Sequence, residues 1–61
     1  MDNTLQQRCT RFFEALGVPI TAFSRMIGVS ASAVYKWRSG LLRLSETTEY
    51  KIDKILTRYG F

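Results

Sequence analysis

Four cations in the middle of the chain lie at positions where they could neutralise phosphate groups. Residues 15–45 contain no Asp or Glu and four basic side chains, Arg25, Lys36, Arg38 and Arg43. Acidic and basic side chains balance in the two ends, so the net charge of +4 belongs to this segment. The same segment predicts two short helices joined by a tight turn. A basic patch around such a turn indicates a grooved polyanion, namely duplex DNA, as the partner.

The second helix of this turn, predicted from residue 31 to about residue 39, has two chemically different sides. At 100° per residue, its large apolar side chains fall together, and these are Val34 and Trp37 with Ala33. The opposite side is small, hydroxylated, aromatic and singly cationic, and it comprises Ala31, Ser32, Tyr35, Lys36 and Ser39. No acid lies on it.

That polar side has the chemistry to contact base edges in a major groove. Ser32 can exchange hydrogen bonds with any base, and the Ala31 methyl group can contact a thymine methyl group. Lys36 is long enough to reach guanine O6 and N7. Tyr35 presents a hydroxyl group on a stiff side chain.

Backbone phosphates have their own predicted contacts. The free N–H groups at the start of the preceding helix, near residues 20–22, form a natural phosphate seat. Arg38 and Arg43 flank the same surface, and we expect them to hold the DNA backbone rather than read bases.

Helices must position these residues, and the sequence predicts four. Thr4 and Gln7 have capping-box spacing and open the first helix, which Gly17 ends. Its predicted apolar face comprises Leu5, Cys9, Phe12, Phe13 and Leu16. Pro19 suits the first turn of the second helix, with Thr21 as a rival cap. The predicted inner face of that helix comprises Phe23, Met26 and Ile27.

Gly28 stops the second helix, and serines open the last two. Ser30 caps the third helix and Ser45 the fourth. The predicted stripe of the fourth comprises Ile52, Ile55, Leu56 and Tyr59, with Tyr50 at its edge. Strand-like alternation is confined to residues 41–44. The fold class is therefore all-α, a small four-helix domain with a helix-turn-helix, and a short extended segment at 41–44 is an option.

Composition excludes several classes of protein. Sixty-one residues make a single domain, 1–61, and one Cys without any His provides neither a disulfide nor a zinc site. Cys9 is therefore expected to be a small buried hydrophobe. We expect no catalytic activity, cofactor, metal, membrane partner or small-molecule substrate. Met1, Asp2 and Asn3 form no basic leader, which favours a cytoplasmic location.

The helix-turn-helix segment resembles that of the lambdoid phage repressor and Cro superfamily, also called the XRE family, and is most similar to Cro-type proteins. The resemblance covers roughly residues 5–60 and rests on the turn and its spacing, Gly28-Val29-Ser30, Val34, Trp37, Gly40 and Ser45. It implies a lambda-repressor-like fold. Two positions depart from the family pattern: Ile20 stands where Gln is usual, and Ser24 stands where Ala is usual. Ser is small enough for the close helix crossing at that position.

By this resemblance, base contacts fall on Ala31, Ser32, Tyr35 and Lys36. Phosphate contacts fall on Thr21, Arg38, Ser39 and Arg43. The resemblance also implies a homodimer on a pseudo-palindromic double-stranded operator, with half-sites about one helical turn apart. Such a protein represses transcription by occluding the promoter.

Three leucines after the third helix leave a second function open. Leu41, Leu42 and Leu44 cannot all enter so small a core. One or two could pack under the fourth helix, and the others, with Tyr59 and Phe61, could form a self-association surface. The alternative function is an antitoxin-like or anti-repressor module that keeps the helix-turn-helix as a scaffold and binds a protein.

Overall fold

A computed structural model describes residues 4–61, and within that range it contains four helices and no strand. They are α1 (Leu5–Leu16), α2 (Ile20–Ile27), α3 (Ala31–Arg38) and α4 (Glu46–Arg58). The prediction of an all-α four-helix domain with a helix-turn-helix at α2–α3 is confirmed. Residues 41–44 have no regular structure, so the optional extended segment is not formed. Asp2, one of the acids that balance the N-terminal cations, lies outside the described residues.

Local capping chemistry sets most of the helix ends. The Thr4 hydroxyl accepts from the Gln7 backbone N–H at 3.1 Å, and the Gln7 side chain accepts from the Thr4 N–H at 3.3 Å. The Ser30 hydroxyl accepts from the backbone N–H of Ala33 at the start of α3. Ser45 makes the same kind of bond at the start of α4. These bonds satisfy helix donors that have no intrahelical acceptor.

Two predicted boundaries shift by one residue. Pro19 is the N-cap of α2 rather than part of its first turn, because its ψ of 137° is extended. Its carbonyl accepts the first helical bond, from the Phe23 N–H at 3.1 Å. Thr21 is therefore inside α2 and does not cap it. At the other end of the motif, α3 ends at Arg38 and Ser39 is its C-cap.

A single core joins all four helices. Its buried members are Cys9, Phe12, Phe13, Phe23, Ile27, Val34, Trp37, Ile52 and Leu56. The Phe12 ring lies near its centre, with the Phe23 and Phe61 rings each 5.8 Å away between centroids. Aromatic side chains bury large apolar areas, which lets so short a chain build a core without a disulfide. None of the helices formed by residues 4–61 is long and apolar enough to cross a membrane.

The predicted inner faces of α1 and α2 are wrong at one position each. Leu16 is 49% exposed and Met26 is 53% exposed. The buried face of α2 is centred between Phe23 and Ser24, which places Met26 about 110° away from that centre. Ser24, on the other flank of Phe23 and Ile27, belongs to the buried face instead, and it is only 4% exposed.

The stripe of α4 is narrower than predicted. Ile52 and Leu56 are fully buried, and Ile55 packs against the core from its edge. Tyr50 is 61% exposed and does not belong to the stripe. Tyr59 follows the last helical residue as its C-cap and is also exposed, although its ring lies 5.6 Å from the Phe12 ring.

Candidate nucleic-acid interface

The turn between α2 and α3 fixes the angle at which α3 leaves the core. Gly28 has a φ of 78°, a left-handed conformation that glycine adopts without steric cost. The next residue, Val29, donates its N–H to the Ser24 carbonyl at 3.0 Å and packs against the core. Ser30 then caps α3. The turn is thus held by one positive φ, two hydrogen bonds and an apolar contact.

The inner side of α3 is anchored by its two largest apolar residues. Val34 and Trp37 are both completely buried. The Trp37 indole Nε1–H donates to the Glu49 carboxylate on α4 at 3.0 Å, so the one polar atom of that side chain has a partner. A helix of eight residues has little stability of its own, and this packing holds it in place.

The outer side of α3 brings the four predicted base-contacting residues together. Ser32 and Lys36 are exposed, Tyr35 is 56% exposed, and Ala31 is partly buried at the first helical position. Ser32, Tyr35 and Lys36 thus have the exposure predicted for this side, and Ala31 has it only in part. Contact of these four residues with DNA stays a prediction.

The start of α2 differs from the other helix starts, since no side chain caps it. Thr21 and Ala22 are exposed there, and their backbone N–H groups have no hydrogen-bond acceptor within residues 4–61. Ile20 turns its side chain onto the core and offers only its backbone. The predicted phosphate seat has the required free donors, and Thr21 lies within it.

Arg38 occupies a different place from the other predicted phosphate ligands. Its guanidinium group donates from Nε and Nη2 to the Thr10 hydroxyl, each at 3.3 Å. The same group lies over the Phe13 ring, 5.1 Å from its centroid. Arg38 is therefore bound to α1 and partly buried. Sequence reasoning missed this contact because Thr10 is 28 positions away and α3 gives no local sign of it.

The other two predicted phosphate ligands lie beyond the end of α3. The Ser39 hydroxyl donates to the Tyr35 carbonyl at 3.0 Å and is exposed. Arg43 is exposed in the loop between α3 and α4, and no hydrogen bond or ion pair joins it to another residue of the range 4–61. Both are accessible, and Arg43 keeps its full charge for a ligand.

Two observations on the described residues concern thiol and metal chemistry. Burial raises the pKa of the Cys9 thiol from its ordinary value of 9.0 to about 11, and the nearby Arg38 charge lowers it by less. A buried thiol with that pKa is a poor nucleophile at neutral pH. Within residues 4–61, no three His, Cys, Asp or Glu side chains are close enough to hold a metal ion.

Comparison of the chain with protein-family models, curated proteins and solved structures finds no match. The outer side of α3 and the charges around it are therefore the features of the molecule that bear on its function.

Proposed function

We propose that this protein is a sequence-specific regulator of transcription that binds double-stranded DNA in the cytoplasm. α3 enters the major groove, with Ala31, Ser32, Tyr35 and Lys36 at the base edges. The observation that carries the proposal is that these side chains share an acid-free outer side of a helix fixed from behind. Polar and cationic groups on a rigid helix suit direct base recognition.

Charge supports the same conclusion. Arg25, Lys36 and Arg43 are exposed, and the segment that contains them has no acid to neutralise them. In contrast, the cation Arg8 at the N-terminal end is paired with Asp53. Arg25, Lys36 and Arg43 thus place three exposed positive charges on the helix-turn-helix and the loop that follows it, in a stretch of sequence without acids. Attraction to phosphate supplies most of the affinity of such surfaces, whereas base contacts supply the specificity.

The proposed regulator is a phage or prophage repressor of the Cro type, within the XRE helix-turn-helix superfamily. It binds a pseudo-palindromic operator as a homodimer and represses by occluding the promoter. Leu41 and Leu42, 79% and 39% exposed, and Tyr59 supply apolar surface for self-association. Phe61 supplies less of it, because its side chain is partly buried against the core, with its ring 5.8 Å from that of Phe12.

The exposure of Leu41 and Leu42 also favours a second candidate function. Two apolar side chains left in solvent beside a helix-turn-helix suit an antitoxin-like or anti-repressor module that binds another protein. Leu44 turns inward against the core and is not part of that surface. The two functions differ in what the chain binds tightly, which a DNA selection measures directly.

The test begins by selecting bound sites from random duplexes and titrating the consensus and a scrambled duplex at fixed salt. Lys36→Ala and Ser32→Ala should each reduce discrimination between the two duplexes by about 1–3 kcal/mol. Arg43→Ala should weaken binding to both duplexes alike, because Arg43 is assigned to phosphate, and should flatten the salt dependence.

Two results would reject this assignment. A selection that returns no consensus, together with weak binding to every duplex, would favour the protein-binding module. A consensus whose affinity is unchanged in Lys36→Ala would place base recognition on another surface.

A further inference from the structure

The hydrogen bond between Trp37 and Glu49 joins the last turn of α3 to the first turn of α4. The donor is the indole N–H of a completely buried side chain, and the acceptor is a partly buried carboxylate 3.0 Å away. A hydrogen bond to a carboxylate is stronger than one between neutral groups. Because the indole N–H must point at the Glu49 carboxylate to make this bond, the bond restricts the rotation of the Trp37 ring.

This rotation matters because Lys36 is the neighbour of Trp37 in the chain. After α3, the backbone turns at Gly40 and continues as an irregular loop in which Leu41 is almost fully exposed. The loop returns a hydrogen bond from the Leu41 N–H to the Lys36 carbonyl at 2.8 Å, but the exposed Leu41 side chain adds little packing to the end of α3. Of the contacts in this turn, those of Trp37 reach α4 and those of Arg38 reach α1.

We propose that Glu49 is a positioning residue for DNA recognition, which orients the end of α3 and the Lys36 side chain through Trp37. The inference rests on the proposed function. Glu49 touches no DNA in this proposal, since its carboxylate is engaged by the indole. Because the indole N–H holds this carboxylate, its negative charge need not oppose DNA binding.

Losing the Trp37–Glu49 hydrogen bond should free the orientation of the end of α3 without unfolding the chain, because the bond lies beside an open cavity. Trp37 and Glu49 line an open cavity of about 350 Å³ together with Gln6, Leu42, Arg43, Leu44 and Glu46. Water can enter such a space and accept from the indole N–H when the carboxylate is removed. Water satisfies the donor without holding the ring in one orientation.

The test compares Glu49→Ala with Glu49→Gln and with the matched control Glu46→Ala. Glu46 lies in the same first turn, carries the same charge and is exposed, so its removal reproduces the change in net charge alone. Trp37 is the only Trp in the chain, so its indole N–H resonance and its fluorescence report the hydrogen bond directly. The functional measure is the ratio of affinities for the selected and the scrambled duplex.

We expect Glu49→Ala to shift the indole resonance and to lower the affinity ratio about tenfold, the scale of one hydrogen bond to a charged group. Glu49→Gln keeps an acceptor oxygen and should lose much less of the ratio. Glu46→Ala should change neither measure, although it should raise affinity for both duplexes alike. In a Trp37→Phe background, which lacks the donor, Glu49→Ala should lower the ratio no further than Glu46→Ala does.

The inference is overturned if Glu49→Ala, like Glu46→Ala, leaves the ratio of affinities for the two duplexes unchanged while Lys36→Ala still lowers it. It is also overturned if Glu49→Ala lowers the affinity ratio as much in the Trp37→Phe background as it does with Trp37 present. If Glu49→Ala does not fold, Glu49→Gln takes its place in this comparison. If neither Lys36→Ala nor Glu49→Ala changes the ratio, the proposed function itself fails.

Discussion

At the scale of single residues, Arg38 shows how a side chain of the right type can have a structural role. It was assigned to a phosphate by resemblance, and its guanidinium group binds Thr10 and covers the Phe13 ring. The contact with Phe13 is a cation–π interaction with an aromatic ring of the core. In the free protein, Arg38 therefore stabilises the packing of α3 on α1.

Arg38→Ala should lower the free energy of unfolding by about 1–2 kcal/mol, the sum of a cation–π contact and modest net hydrogen bonding. Arg43→Ala, the matched control, should change it by less than about 0.5 kcal/mol, because Arg43 is exposed and without a partner among residues 4–61. Urea titrations of both variants measure the difference. Equal destabilisation would contradict the assigned contact.

The buried Cys9 thiol should make the free energy of unfolding depend on pH. Its thiol has a pKa of about 11 when folded against an ordinary value of 9.0, because burial disfavours the thiolate. Above pH 9 the unfolded chain loses the Cys9 proton first, so the stabilising effect of the neutral thiol is present below pH 9 and is lost towards pH 11. This loss is about 1.4 kcal/mol for each unit of pH across that window.

Cys9→Ala isolates this loss from the titration of Tyr and Lys in the same window. The variant is less stable at pH 8 because it leaves a cavity, and its deficit relative to the parent should shrink as the pH rises to 11. A deficit that stays constant across these values would show that the thiolate is tolerated in the core.

At the scale of elements, the sequence predicted what local chemistry controls. Ser30 and Ser45 cap their helices as expected, and Gly28 takes the left-handed φ that the turn requires. The outward side of α3 was also predictable, since Val34 and Trp37 define its inner side within one short helix. The rotation of α2 was not predictable from hydrophobicity alone. It depends on close packing against neighbouring helices, which favours the small Ser24 over the longer Met26 at the crossing.

The corrected face of α2 can be tested with two substitutions. Ser24→Leu should lower the free energy of unfolding by about 1–3 kcal/mol or more, because Ser24 is 4% exposed and a larger side chain overpacks the crossing. Met26→Ala should cost less than about 1 kcal/mol, because most of the Met26 side chain is already in water. Thermal unfolding of the two variants checks the order, and the reverse order would restore Met26 to the core.

The contacts that the sequence did not reveal join elements rather than neighbours. Trp37 meets Glu49 across 12 positions, and Arg38 meets Thr10 across 28. Nothing in the local pattern of either helix distinguishes these partners from other polar residues. The identity of the outer side chains of α3 was thus accessible from sequence, whereas the contacts that hold that helix in position were not.

At the scale of the whole molecule, one cation forms an ion pair inside the fold, and the exposed cations of the helix-turn-helix are available to bind a ligand. Arg8 donates from Nη1 to the Asp53 carboxylate at 2.6 Å and from Nε to the Phe61 carbonyl at 2.8 Å. It therefore joins α1 to α4 and to the residues that follow α4. The exposed cations of the helix-turn-helix have no such use inside the fold, which leaves their charge to act on a polyanion.

Because Arg8 bonds to both Asp53 and Phe61, removing Arg8 should cost more stability than removing Asp53. Arg8→Ala should lower the free energy of unfolding by about 1–2 kcal/mol, because it leaves the Phe61 carbonyl and the Asp53 carboxylate without their donor. Asp53→Ala should cost less than about 1 kcal/mol, since the Asp53 side chain is 48% exposed and the ion pair is weakened by water and salt. Arg58→Ala, an exposed cation of α4, is the control for charge.

A double-mutant cycle on Arg8 and Asp53 separates the ion pair from the bond to Phe61. The coupling energy should be below about 1 kcal/mol and should fall as salt is raised, and a further loss of stability should remain in Arg8→Ala. A coupling energy as large as the whole effect of Arg8→Ala would mean that the carbonyl of Phe61 contributes nothing. The Arg8 side chain would then affect stability only through Asp53.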